Sequence, residues 1–122
     1  MEEHSHTPLV LIVDDDEATR RLMRLSLSFG DFDVRTASDG IAALLEVDRD
    51  GYDAILVDYQ MPMMDGGTFA REARARGFEA PIIMVSAWPQ ARSVTEADRF
   101  ISKPFDPEEL LRVVTEVTGP AA

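Results

Sequence analysis

Asp14, Asp15, Asp58, Ser86 and Lys103 are the residues of this 122-residue chain whose types can do chemistry together. Each stands at the end of an apolar run. Three carboxylates gathered within about 4 Å repel one another by several kcal/mol at an effective dielectric of about 20, so they stay ionised together only beside a cation. An all-oxygen donor set selects a hard divalent ion with retained waters, Mg²⁺ or Mn²⁺. Such an ion neutralises one carboxylate enough for it to attack phosphorus and holds the phosphoryl oxygens during in-line transfer. Asp58 is the best-placed nucleophile because its neighbours flank it. Lys103 adds a compact cation for one phosphoryl oxygen, and the Ser86 hydroxyl a hydrogen bond for another. The two histidines, His4 and His6, fall in a stretch expected to be a disordered tail over residues 1–7. Neither is expected to act as a base or nucleophile, so the chain reads as a phosphoryl acceptor rather than a kinase.

These residues need elements that bring their ends to one edge. Leu9 to Val13 is wholly apolar and stops at three aspartates, as a strand covered on both faces reads. Ala18, Leu22, Leu25 and Phe29 recur at helical spacing, which predicts a helix from Ala18 to Phe29 with those residues as its apolar stripe. Asp16 and Glu17 favour its positive end, and Gly30 stops it. Val34 to Ala37 is a short second strand, and Ser38 can cap a helix through Ile41, Leu44 and Leu45 that ends by Gly51. Ala54 to Val57 is a third strand ending at Asp58, followed by a Pro and Gly loop through Gly67. An Ala-rich helix from Thr68 to Arg76 closes at Gly77, and Pro81 opens a fourth strand, Ile82 to Val85, ending at Ser86. Phe100 to Ser102 is a brief fifth strand. Asp106 then caps a last helix, with Pro107 at its first position and Glu109 able to complete a capping box.

Strands alternating with helices at this interval imply βαβ units, hence an α/β fold: a doubly wound parallel sheet of five strands with helices on both faces. In such sheets ligands bind beyond the carboxyl ends of the strands, beside the point where strand order reverses. The second strand ends in Ala37 and offers nothing ionic; the flavodoxin-like order 2-1-3-4-5 explains this by placing it at the margin. The same alternation suits a dinucleotide-binding half, but no G-x-G-x-x-G follows the first strand. An apolar content of 45% supports one domain with a real core. No apolar run approaches the roughly 20 residues that cross a bilayer. Met1 to Thr7 lacks the character of a signal peptide, so neither membrane nor export is expected and the location reads as cytoplasmic. The absence of cysteine agrees. A net charge of −11 argues against direct nucleic-acid binding, which needs a positive surface.

Four segments carry a resemblance: LVLIVDDDE (Leu9 to Glu17), DYQMPMMDG (Asp58 to Gly66), IIMVSA (Ile82 to Ala87) and SKPF (Ser102 to Phe105). Standing in this order, each at a strand end, they make the chain from Leu9 to Val117 similar to the receiver (CheY-like) domain of two-component response regulators. The resemblance implies a receiver domain over residues 8–118 and a short tail over 119–122. It implies that Asp58 is both the phosphoacceptor and a metal ligand, Asp15 a direct Mg²⁺ ligand, Asp14 a ligand mainly through water, and the Gln60 carbonyl the rest of the protein's share of the metal shell. Lys103 would bind the phosphoryl group and be joined to Pro104 by a cis peptide. Ser86 and Phe100 would be the switch pair, the hydroxyl moving toward a phosphoryl oxygen while the ring turns inward. A sensor histidine kinase or a histidine phosphotransfer protein would be the donor and another protein the receiver of the signal. The domain would catalyse only its own phosphorylation and dephosphorylation, so it would not be an enzyme in the usual sense.

Two departures from the family stand out. Ser86 and Phe100 replace the more usual threonine and tyrosine. Ser86 and Lys103 are only 17 residues apart, shorter than the usual receiver by a little over one helical turn. Pro89 to Asp98 also lacks a long apolar stripe, so the fourth helix, between the fourth and fifth strands, is expected to be very short or absent. The family's dimerisation through its fourth and fifth helices is not expected to survive that loss. Two rival functions follow. One is a receiver-shaped interaction module that no longer uses phosphate, motivated by the shortened segment. The other is a haloacid-dehalogenase-type phosphatase with its nucleophile at the first strand and a second acid two residues on, a spacing that Asp14 and Asp16 offer. Asp16 and Glu17 also read as a solvated helix start, Phe100 as a core aromatic, Trp88 as either a lid over the site or an exposed loop residue, and Met61, Met63 and Met64 as a packing loop.

Overall fold

The computed structural model describes residues 6–119; residues 1–5, His4 among them, and 120–122, which hold most of both expected tails, lie outside the described residues. The elements follow one another as β1 (Leu9–Val13), α1 (Glu17–Leu27), β2 (Asp33–Ala37), α2 (Gly40–Arg49), β3 (Ala54–Val57), α3 (Gly66–Ala75), β4 (Ile82–Ser86), a 3-10 turn (Pro89–Ser93), β5 (Arg99–Ser102) and α4 (Pro107–Thr118). The five strands are parallel and lie in the order β2-β1-β3-β4-β5, as the absence of an ionic residue at the end of β2 indicated. No described helix is long and apolar enough to cross a membrane.

Alternation along the central strands divides the core. Leu11, Val13, Ile55, Val57, Ile82 and Met84 pack on one face with Ala43 and Leu44 of α2 and Phe69, Ala70 and Ala73 of α3. Val10, Ile12, Leu56, Ile83 and Val85 pack on the other with Met23 and Leu27 of α1 and Leu110, Val113 and Val114 of α4. Both faces of β1, β3 and β4 are therefore covered, which is why these strands read as continuous apolar runs rather than alternating ones.

The helix starts share one device. Asp16, Asp39, Asp65 and Asp106 each accept a hydrogen bond from a backbone N–H of the following turn, at 2.7 to 3.0 Å. A carboxylate there satisfies an orphan donor and meets the positive end of the helix. Three expectations need correction at this level. Asp39, not Ser38, caps α2. The third helix begins at Gly66, inside the segment read as loop, because Asp65 caps it. Asp106 bonds the Glu108 N–H, so the capping box expected through Glu109 is replaced by a shorter cap.

The largest correction concerns α1. Leu22, Leu25 and Phe29, read as its apolar stripe, are 45%, 57% and 78% exposed, while Met23, Ser26 and Leu27 are buried. The buried serine hid the true face, and it is tolerated because its hydroxyl donates to the Leu22 carbonyl at 2.8 Å. In α2 likewise, Leu44 is buried but Ile41 and Leu45 are exposed.

Between β4 and β5 the chain makes only the 3-10 turn, in agreement with the shortened fourth helix inferred from spacing. Backbone groups that a helix would satisfy internally need other partners. Arg74 of α3 supplies one and links the crossover to the loop before β4: its guanidinium donates to the Glu96 carbonyl at 3.1 Å and to the Asp98 carboxylate at 3.0 Å, and to the Phe78 and Ala80 carbonyls of the α3–β4 loop at 2.8 and 2.9 Å. Asp98 in turn accepts from the Ile82 N–H at 2.9 Å, tying the crossover to the start of β4.

Candidate functional site

Sheet hydrogen bonding continues one residue past the strands at the carboxyl edge, and that extension fixes the backbone of the polar residues. The Asp14 N–H donates to the Ala37 carbonyl, the Asp58 N–H to Val13 and the Lys103 N–H to Ser86, at 3.2, 3.0 and 2.9 Å. Side chains leaving these positions meet above the ends of β1, β3 and β5. One oxygen from each of Asp14, Asp15 and Asp58 lies within 4.8 Å of the other two. Lys103 Nζ reaches between two of them, donating to Asp14 Oδ2 at 2.9 Å and to Asp58 Oδ2 at 3.1 Å. Asp14 and Asp58 are buried and Asp15 is exposed, so the cluster opens to solvent on the Asp15 side.

Around this centre the supports are short and local. The Asp16 N–H donates to Asp14 Oδ1 at 2.9 Å, and Arg20 donates to the Asp14 carbonyl at 2.6 Å. The Gln60 N–H lies 3.3 Å from Asp58 Oδ1, and Gln60 itself sits on the exposed loop after β3. That loop is held close by Gly66, whose N–H donates to the Tyr59 carbonyl at 2.8 Å. A Cβ there would collide with the Asp58 carbonyl oxygen and lie 2.9 Å from Tyr59 Cα, so glycine lets α3 begin directly beside the acid. Within the loop Met63 takes φ 72°, the left-handed region that costs a non-glycine residue about 1 kcal/mol or more.

Electrostatically the carboxylates and the ammonium depend on one another. Burial pushes the Asp58 carboxyl above the usual carboxylate range; Lys103 offsets part of that and the Asp14 charge adds to it. Burial alone would lower the Lys103 ammonium, yet its bonds to Asp14 and Asp58 outweigh this and raise it. One ammonium facing three carboxylates leaves an excess of negative charge in oxygen ligands, which fits a hard divalent cation such as Mg²⁺.

Ser86 and Phe100 stand apart from this cluster. Ser86 is buried at the end of β4, and its Oγ accepts from the Trp88 N–H at 3.0 Å rather than meeting Asp58. Phe100 is half-buried on β5, with the Arg92 guanidinium 4.2 Å from its ring centre. Trp88 is half-exposed and leans on Tyr59, ring centres 6.1 Å apart. Both rings line an open pocket of about 500 Å³ together with Asp15, Gln60, Met61 and Asp65. The Lys103–Pro104 peptide is cis. Asp16 is spent as the α1 cap, bonded by both the N–H and the hydroxyl of Thr19, so it does not supply the second acid of a phosphatase pair. His6 Nε2 lies 3.1 Å from Asp53, at the amino end of the sheet and away from the acidic cluster. Sequence reasoning missed Arg20 and Arg92. Nothing in spacing marks an arginine whose target is a carbonyl six residues back, or one in an aperiodic crossover.

The family model of the response regulator receiver domain matches residues 10–115. A response regulator MprA of Mycobacterium leprae is 42% identical over 110 residues, covering 84% of this chain and 47% of that protein. An MprA of Mycobacterium tuberculosis is 40% identical over the same length, covering 84% and 46%. The chain thus spans about half the length of the curated relatives it matches. Among solved structures, the chemotaxis protein CheY4 of Vibrio cholerae is similar with a TM-score of 0.85, 30% identity and coverage of 92% of this chain and 99% of that one. The response regulator TrrA of Thermotoga maritima, in complex with Mg(2+)-BeF, is similar with a TM-score of 0.84, 30% identity and coverage of 91% and 99%.

Proposed function

The chain belongs to the response regulator receiver domain family, and from that premise we propose that Asp58 is its phosphoacceptor, with Asp14, Asp15 and the Gln60 carbonyl holding Mg²⁺ beside it. The observation that carries the assignment is the gathering of three carboxylates at the carboxyl edge of the sheet, two of them, Asp14 and Asp58, sharing the Lys103 ammonium. A histidine kinase or histidine phosphotransfer protein is the donor. Asp58 forms a bond to phosphorus as the phosphorus–nitrogen bond of the donor's phosphohistidine breaks, and the released imidazole takes up a proton. When bound, Mg²⁺ supplies neutralising charge to the nucleophile and the phosphoryl oxygens; Mn²⁺ has the same ligand preferences and is expected to substitute.

Lys103 already touches the carboxylate that reacts, so its ammonium is within reach of a phosphoryl oxygen once one is attached. Ser86 and Phe100 form the switch pair: the hydroxyl turns from the Trp88 N–H toward the phosphoryl group, and the ring follows. Water attack on phosphorus later returns free Asp58 and inorganic phosphate, so the domain transforms only itself. A cytoplasmic location suits a donor of this kind, and the domain's own surface, in a chain of net charge −11, meets other proteins rather than nucleic acid or membrane.

Intact-protein mass spectrometry after incubation with acetyl phosphate and Mg²⁺ tests the assignment. One added phosphoryl group is expected, lost in Asp58→Asn and in the presence of a chelator. An adduct of wild-type size on Asp58→Asn would refute the acceptor.

A further inference from the structure

The short crossover between β4 and β5 touches the residues of the switch at two points. At its start the Trp88 N–H donates to Ser86 Oγ at 3.0 Å. Within the 3-10 turn, Arg92 stacks on Phe100 at 4.2 Å from the ring centre. A cation at that distance is attracted to the face of the ring, and the attraction restrains the aromatic side chain. Beside the ring, Ala91, Val94 and Ala97 border an open cavity of about 160 Å³. Phe100 thus packs against the core on one side and carries a cation on its ring, beside this open cavity. Ser86 and Phe100 sit on neighbouring strands, Phe100 opposite Met84 and Ser86 opposite Ser102. The crossover thus provides a continuous path of contact from the Ser86 hydroxyl through Trp88 and the turn to Arg92 and the ring.

We propose that Arg92 is the latch of the resting state, holding Phe100 in its observed position until the Ser86 hydroxyl releases the Trp88 N–H and loosens the turn that carries Arg92. This rests on the assignment of Asp58 as phosphoacceptor and of Ser86 and Phe100 as the switch pair. It adds a residue to them: in this chain the one-turn crossover is itself the coupling element, and the cation–π contact sets how far the equilibrium lies toward rest. A ligand that favours the switched state must work against the latch, so removing the latch raises its apparent affinity.

The test is calorimetric titration of beryllofluoride into the Mg²⁺-saturated protein, for wild type, Arg92→Gln, Phe100→Leu and the double variant, with Arg92→Lys as the charge-conserving control. Arg92 is exposed, so its replacement leaves the core untouched. Arg92→Gln is expected to bind about 2–5-fold more tightly than wild type, the range that an exposed cation–π contact represents. Arg92→Lys should stay nearer wild type, and the same Gln substitution should have no effect in the Phe100→Leu background. Unchanged or weaker binding by Arg92→Gln, or an equal tightening without the phenylalanine, overturns the latch. Failure of the wild type to bind beryllofluoride would instead remove the phosphoacceptor reading on which it rests.

Discussion

At the scale of single residues, Asp58 carries its charge at the expense of stability. Burial holds its carboxyl above the usual range, Lys103 offsets only part of this, and Asp14 adds to it. An acid whose folded pKa exceeds its unfolded value binds more protons when folded, so stability falls as pH rises from the unfolded value through the folded one. Asp58→Asn is accordingly expected to stabilise the metal-free protein by about 1 kcal/mol near neutral pH, the size of an ordinary single-site effect. The advantage should shrink as pH falls toward about 4, where the unfolded-state carboxyl itself takes up a proton. Urea denaturation in the presence of EDTA reads both; a less stable variant at neutral pH would mean that the Lys103 bond outweighs the desolvation. The acids and Lys103 were legible in the sequence because their types are rare at the ends of buried strands. Arg20 and Arg92 were not, because the groups they bind, a carbonyl and a ring face, become neighbours only after folding.

Among the elements, α1 shows how a helical period can be right while its face is wrong. The chain offers two apolar stripes there: Leu22, Leu25 and Phe29 point to solvent, whereas Met23 and Leu27 enter the core with Ser26 between them. Leu27→Ala is expected to cost about 2–5 kcal/mol, the range for truncating a buried leucine. Leu25→Ala should stay within about 0.5 kcal/mol, as an exposed substitution does. Chemical denaturation of both variants checks the assignment, and equal costs would contradict it. Periodicity could not choose between the stripes because both repeat at helical spacing, and a serine satisfied by its own helix looks polar only in sequence. The reduced crossover was legible for the opposite reason. Chain length between Ser86 and Lys103 sets a geometric limit that no packing can lift, and Arg74 ties the resulting crossover to α3 through the Glu96 carbonyl and the Asp98 carboxylate.

Over the whole molecule, the acidic cluster exists because β1, β3 and β5 deliver residues distant in sequence to one edge, Lys103 meeting Asp14 across 89 positions. Metal binding to such a site is linked to global stability. With Mg²⁺ at about 100 times its dissociation constant, unfolding should become harder by about 2.7 kcal/mol. Asp15→Asn should remove most of that increment while leaving the stability in EDTA near wild type, since Asp15 is exposed. Paired urea titrations with Mg²⁺ and with EDTA measure both, and an undiminished Mg²⁺ effect in the variant would exclude Asp15 as a ligand. By itself the sequence determined the α/β class, the strand order and the five polar residues at the carboxyl edge, since strand burial and strand-end chemistry are written in residue type and order. Only the tertiary structure decided which face of α1 is buried, that Ser86 in this state bonds Trp88 rather than Asp58, and that Arg92 lies on Phe100. Those contacts join segments whose approach depends on how the helices and the crossover pack, and no local pattern encodes a distance between them.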